Sequence, residues 1–114
     1  MNTQPVDAAV LATLKDIMGN DYSLLVDTYL GDSEHRLAQI HSLPNGRSLR
    51  EAAHSFKGSS SNMGAVCLAA YCGQLEHLPL EADDEHIDVL RRCIVAEFDQ
   101  VRAYFLAERR PISR

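Results

Sequence analysis

Residues 52–65 read AAHSFKGSSSNMGA, and their reading decides the fold. Ala52, Phe56 and Met63 recur at helical spacing. Yet the helix they imply would run into Gly58 and then three serines, Ser59, Ser60 and Ser61. A mid-helix glycine costs ~1 kcal/mol relative to alanine, and serine is a mediocre helix former. Such a helix holds only if packing against neighbours supplies what propensity does not.

The flanking sequence supplies those neighbours. Val10, Leu11, Leu14, Ile17 and Met18 line one side of a first short helix, and Gly19 is its stop signal. A second helix is expected from Asn20 or Asp21, either a good N-cap. It carries Tyr22, Leu25, Val26, Tyr29, Leu30, Leu37 and Ile40 up to the break LPNG at 43–46. The quoted stretch belongs to a third helix, expected to start near Ser48, where Ser48-x-x-Glu51 matches a capping box, and to end around Gly64. A fourth places Ala65, Leu68, Tyr71, Cys72, Leu75 and Leu78 on one side until Pro79. Asp83 and Asp84 are expected to cap the last and longest, with Ile87, Leu90, Ile94, Phe98, Val101 and Phe105 facing inward. Nothing alternates with period two for long enough to suggest a strand. Short links between amphipathic helices make antiparallel neighbours. The expected fold is all-α: an antiparallel up-and-down four-helix bundle with an additional short N-terminal helix. Residues 1–114 would form a single domain, with a frayed polar tail over 108–114.

Composition narrows the function. The formal net charge of -5 and a pI near 5.4 argue against a nucleic-acid or anionic-membrane surface. No stretch approaches the ~20 apolar residues of a membrane span. The N-terminal segment has no cationic leader, and Asp7 and Asp16 flank its apolar part, so no signal peptide is expected. Cys67, Cys72 and Cys93 are odd in number and form no CxxC pair. They read as small buried hydrophobes in a reducing, cytoplasmic setting.

Helical geometry assigns the third helix its faces. At ~100° per residue, with His54 at zero, Lys57 lies about 60° to one side and Gly58 about 40° to the other. Arg50 and Ser61 fall within about 40° of His54, whereas Leu49, Ala52, Phe56, Ser60 and Met63 fall on the opposite side. The apolar side must face the bundle. His54 then points outward, with Lys57 beside it and bare backbone at Gly58.

That grouping suits one chemistry. With an ordinary pKa of ~6.5, histidine near neutral pH is mostly an uncharged nucleophile needing no general base. Attack by a ring nitrogen on a phosphoryl group would give a phosphoramidate. Charge on the transferring group needs a nearby cation, which Lys57 can supply. Gly58 removes the side chain that would obstruct a partner's active site.

AHSFKGSSSNMGA resembles the signature of histidine-containing phosphotransfer (HPt) domains, roughly A-H-x-L-K-G-S-S-x-x-x-G-A. The fit is at Ala53, His54, Lys57, Gly58, Ser59, Ser60, Gly64 and Ala65, with Phe56 where leucine is usual. The resemblance implies a cytoplasmic, monomeric phosphoryl carrier of the free-standing bacterial type, without a kinase or nucleotide-binding domain of its own. His54 would be the phosphoacceptor, Lys57 the stabilising cation and Gly58 the clearance for docking. Some members hold the imidazole with a glutamine twenty-two residues on; here that position is Glu76, whose carboxylate could hold Nδ1–H and leave Nε2 to react. The implied partners are two receiver domains, one in a hybrid sensor histidine kinase and one in a response regulator. No cofactor or metal is expected on this chain, the metal ion lying in the receiver's acidic pocket. A basic rim would help that pocket approach, and Arg50, with Arg47, lies near the His54 face. Ser61 would also meet the partner. Two other readings remain open: a metal-binding bundle, for which Glu51-x-x-His54 and Asp83-x-x-His86 have suggestive spacing, and a passive interaction bundle.

Overall fold

In the computed structural model, which describes residues 4–108, the chain enters its first helix at Asp7, whose carboxylate accepts from the Ala9 amide at 2.9 Å. α1 spans Ala8–Met18 and stops at Gly19, which adopts a φ of 54°. A 3-10 turn, Gly19–Asp21, feeds directly into α2, Tyr22–Ser42. The side-chain cap expected at Asn20 or Asp21 is not formed. Asp21 is already in the right-handed helical region, and the Tyr22 amide bonds to the Gly19 carbonyl, so the turn's backbone does the capping.

α3 spans Arg47–Asn62 and begins straight after Gly46, in extended backbone. Ser48 therefore lies inside the helix, and the expected Ser48–Glu51 capping box does not form. The other end of α3 answers the puzzle of its serines. Ala65 N–H bonds to Ser60 O at 2.9 Å and Gly64 N–H to Ser61 O at 3.0 Å, with Gly64 at a φ of 78°. This is a Schellman termination, which needs a left-handed residue at the position glycine holds. Inside the bundle the Ser60 hydroxyl pairs with the Tyr29 hydroxyl at 2.8 Å, so its polarity is satisfied in the core.

α4 spans Val66–Glu76 and α5 spans Asp84–Glu108, the latter capped by Asp83, whose carboxylate accepts from the His86 amide at 2.9 Å. α4 ends at Glu76, with His77 as its C-cap, short of the expected stop at Pro79. The residue before a proline is pushed out of helical geometry, so the helix closes before it reaches the ring. The expected frayed tail lies outside the described residues, apart from Glu108 at the end of α5.

Each helix from α2 to α5 packs on the next, and α5 packs back on α2, closing a four-membered ring. The fold is all-helical, an up-and-down bundle with α1 added. The inward faces are those the periodicity marks: Leu49, Ala52, Phe56 and Met63 from α3 and its end, and Ile87, Leu90, Ile94, Phe98, Val101 and Phe105 from α5. The rings of Phe56 and Phe98 lie 6.0 Å apart, as do those of Tyr29 and Phe105. Arg91 on α5 ties the ring together at one end by donating to the carbonyls of Ile40 and Leu43.

α1 is held at the α3–α4 corner. Asp7 N–H bonds to Gly64 O at 2.8 Å, and Val6 and Leu11 are buried. Its apolar side is narrower than its spacing implies, because Ile17 is 71 % exposed. The cysteines divide similarly. Cys72 is buried, and burial foremost pushes its thiol up to about 12, whereas Cys67 is exposed on the first turn of α4 and Cys93 is half-buried. No helix among the described residues is long and apolar enough to cross a membrane.

Candidate functional site

α3 turns its apolar side to the core, and the opposite side carries His54 into solvent with its side chain 67 % exposed. One neighbour reaches it. Glu76, the last residue of α4, places Oε2 2.6 Å from His54 Nδ1 and Oε1 2.7 Å from Lys57 Nζ. One carboxylate thus bridges the imidazole and the ammonium. Glu76 is only 20 % exposed in this arrangement, and Lys57 is half-buried.

The ionisation of Glu76 assigns the ring's proton. The hydrogen bond from Lys57 holds its carboxyl below the ordinary value of 4.5; partial burial opposes this, and the hydrogen bond and charge of His54 reinforce it. An ionised carboxylate can only accept, so Nδ1 must carry the hydrogen. The lone pair of a neutral ring then sits on Nε2, which has no hydrogen-bond partner among the described residues. A solvent-facing nucleophilic nitrogen results, its tautomer set by a group behind it.

Two glycines shape the surroundings. Gly58 lies on the exposed side of α3, and a Cβ added there would meet nothing within 4 Å. Among the described residues, no packing demands a glycine at that position. Gly73, on α4 one turn before Glu76, is different: a Cβ there would come 3.5 Å from Lys57 Cδ. The lysine stem lies across the bare backbone of Gly73 on its way to Glu76. Sequence reasoning passes over Gly73, although its spacing of three from Glu76 was the available signal.

Arg50 lines the same shallow cleft as Arg47, Glu51, His54, Ser55 and Glu76. Its guanidinium makes four hydrogen bonds within the chain. It donates to Leu78 O at 2.9 Å, Pro79 O at 2.7 Å, Gly46 O at 3.0 Å and Asn45 Oδ1 at 2.6 Å. Asn45, another residue the sequence reading missed, donates in turn to Leu80 O at 2.8 Å and Ala82 O at 3.3 Å. Ser61 is exposed on the outer side of α3, two turns beyond His54. Asp83 is occupied as the cap of α5, and no three His, Cys, Asp or Glu side chains among the described residues are grouped to hold a metal ion.

Fold and site together define a class: an all-helical bundle presenting one histidine, backed by a carboxylate and a lysine, on an unobstructed wall. The sequence profile of the Hpt domain matches residues 24–104. The structure is similar to the crystal structure of histidine-containing phosphotransfer protein B (HptB) from Pseudomonas aeruginosa PAO1, with 39% identity, a TM-score of 0.90, and coverage of 98% of this chain and 100% of that one. No curated protein matches the sequence. The chain belongs to the Hpt domain family.

Proposed function

We propose that His54 is the phosphoryl acceptor of a multistep phosphorelay, taking the group from the receiver aspartate of a hybrid sensor kinase and passing it to a response regulator. The observation that carries this reading is the Glu76 carboxylate shared between His54 Nδ1 and Lys57 Nζ. The Nε2 lone pair attacks the phosphorus of an aspartyl phosphate. The N–P bond forms, the P–O bond to the aspartate breaks, and the aspartate leaves as a carboxylate. No proton has to be removed, because Nδ1 keeps its hydrogen and Glu76 balances the charge the ring acquires. Lys57 stands one turn away, within reach of the oxygens that gain charge during transfer.

In this reading the chain carries the group without making it, and any metal belongs to the receiver. Gly58 leaves room for the partner's pocket, while Arg47, Arg50 and Ser61 border the approach. Incubation with phosphorylated receiver domains tests the reading. Acid-labile label should appear on the wild-type chain and be absent from His54→Gln, with the helical content of the two proteins equal. Labelling of His54→Gln at the wild-type level would sink it.

A further inference from the structure

We propose that Arg50, acting with Asn45, is a positioning residue for His54, fastening the turn after α4 to the start of α3 so that Glu76 stays against the imidazole. This rests on the reading of His54 as acceptor and names what keeps that site assembled.

Glu76 occupies a weak place from which to orient anything. It is the last residue of α4, followed by a turn rather than by more helix, and helix ends leave carbonyls unpaired and fray. Here the chain just beyond it is held from outside. Arg50 takes the carbonyls of Leu78 and Pro79, and Asn45 takes those of Leu80 and Ala82 while accepting from Arg50 through its own oxygen. Arg50 stands one turn before His54 on α3. Arg50 and the imidazole are therefore on the same helix, with Asn45 just before its start, and Glu76 lies two residues ahead of the first carbonyl that Arg50 holds.

The contact pattern separates this role from charge steering. A planar guanidinium has five donors in a fixed fork, and this one makes four bonds with them, to two carbonyls of one turn, a third at the helix start and an amide oxygen. Lysine would keep the charge but could not fill that fork. If the charge mattered by attracting an acidic partner, Arg50→Lys would be mild. If the fork matters, Arg50→Lys should resemble a deletion.

The test uses the full chain with Arg50→Lys and, as a second route, Asn45→Ser, which removes the amide and leaves the arginine. Single-turnover transfer from a phosphorylated receiver should slow by up to about a hundredfold in each, the scale of a 1 Å misplacement, with the half-saturating receiver concentration unchanged. Nitrogen NMR of the unphosphorylated proteins should show His54 losing its single Nδ1–H tautomer. In a Glu76→Ala background, Arg50→Lys should cause no further slowing. Wild-type rate and tautomer in Arg50→Lys, an effect confined to half-saturation, or undiminished slowing in the Glu76→Ala background would each overturn the proposal. Should Arg50→Lys fail to fold, Asn45→Ser decides by the same readouts. The tautomer measurement needs no phosphate, so a wild-type chain that never labels at His54 would end the acceptor reading while Arg50 is still judged.

Discussion

At the scale of single residues, stability and use pull apart at Gly58. Nothing among the described residues requires a glycine there, since an added Cβ meets open space. Gly58→Ala should therefore stabilise the protein by up to ~1 kcal/mol, the helix-propensity difference, as read from urea unfolding. Gly58→Gln should fold equally well and raise the receiver concentration needed for half-maximal transfer. A destabilised Gly58→Ala would mean that the glycine serves packing after all.

Glu76 gives a second residue-scale prediction, through acid. Its folded pKa lies below the ordinary 4.5, with the Lys57 hydrogen bond the largest cause. The ionised form is thus favoured by folding. The resulting stabilisation is complete above the unfolded value and drains away as pH falls through the lowered one. Denaturant midpoints of wild type and Glu76→Gln should differ by a constant amount at neutral pH and converge as the pH drops below 4.5. A gap that widens in acid would contradict the bridging carboxylate.

The scale of the element is where sequence and structure part most clearly. The outward placement of His54 and the burial of Phe56 follow from helical angle alone, so both were legible. Helix ends were less so, because a cap depends on a few backbone angles that neighbours decide. Ser48 has the pattern of a capping residue, but extended backbone at Gly46 starts α3 early and leaves that serine inside it. Arg50 illustrates a further limit. Its angle on the wheel says only that it starts beside His54, while its long stem carries the guanidinium to carbonyls twenty-eight and twenty-nine residues away. Such partners are tertiary facts with no local signal.

Gly64 was legible as a stop, though not as a junction. Its left-handed angle ends α3, its carbonyl receives the Asp7 amide, and a Cβ would crowd Val10 Cβ at 3.1 Å and Asp7 O at 3.2 Å. Gly64→Ala should lose about 1–3 kcal/mol from backbone strain, with the crowding adding to it. Denaturant unfolding measures the loss, and amide exchange should quicken first in α1. Equal exchange rates in α1 of the two proteins would show that the corner does not hold that helix.

For the whole molecule, the four-helix ring separates a largely apolar interior from the exposed wall on α3 that carries His54. Phe56 and His54 sit two residues apart, yet one is wholly buried against Phe98 and the other stands in solvent. Phe56→Ala should cost about 3–5 kcal/mol by leaving a cavity. Under conditions where the variant remains folded, His54 should still accept phosphate. A folded Phe56→Ala protein that accepts none would show that core and wall are not independent.

The bare stretch of backbone at Gly73 extends that separation to the neighbouring helix. Lys57 reaches across it to Glu76, and a Cβ there would already be in van der Waals contact with the lysine stem, at 3.5 Å. The span of a charged arm on α3 is thereby written partly into α4, by a residue that has neither charge nor side chain. A branched residue at 73, reaching past the Cβ, would press on the Lys57 stem and shorten that arm's range while every charge of the bridge stayed in place.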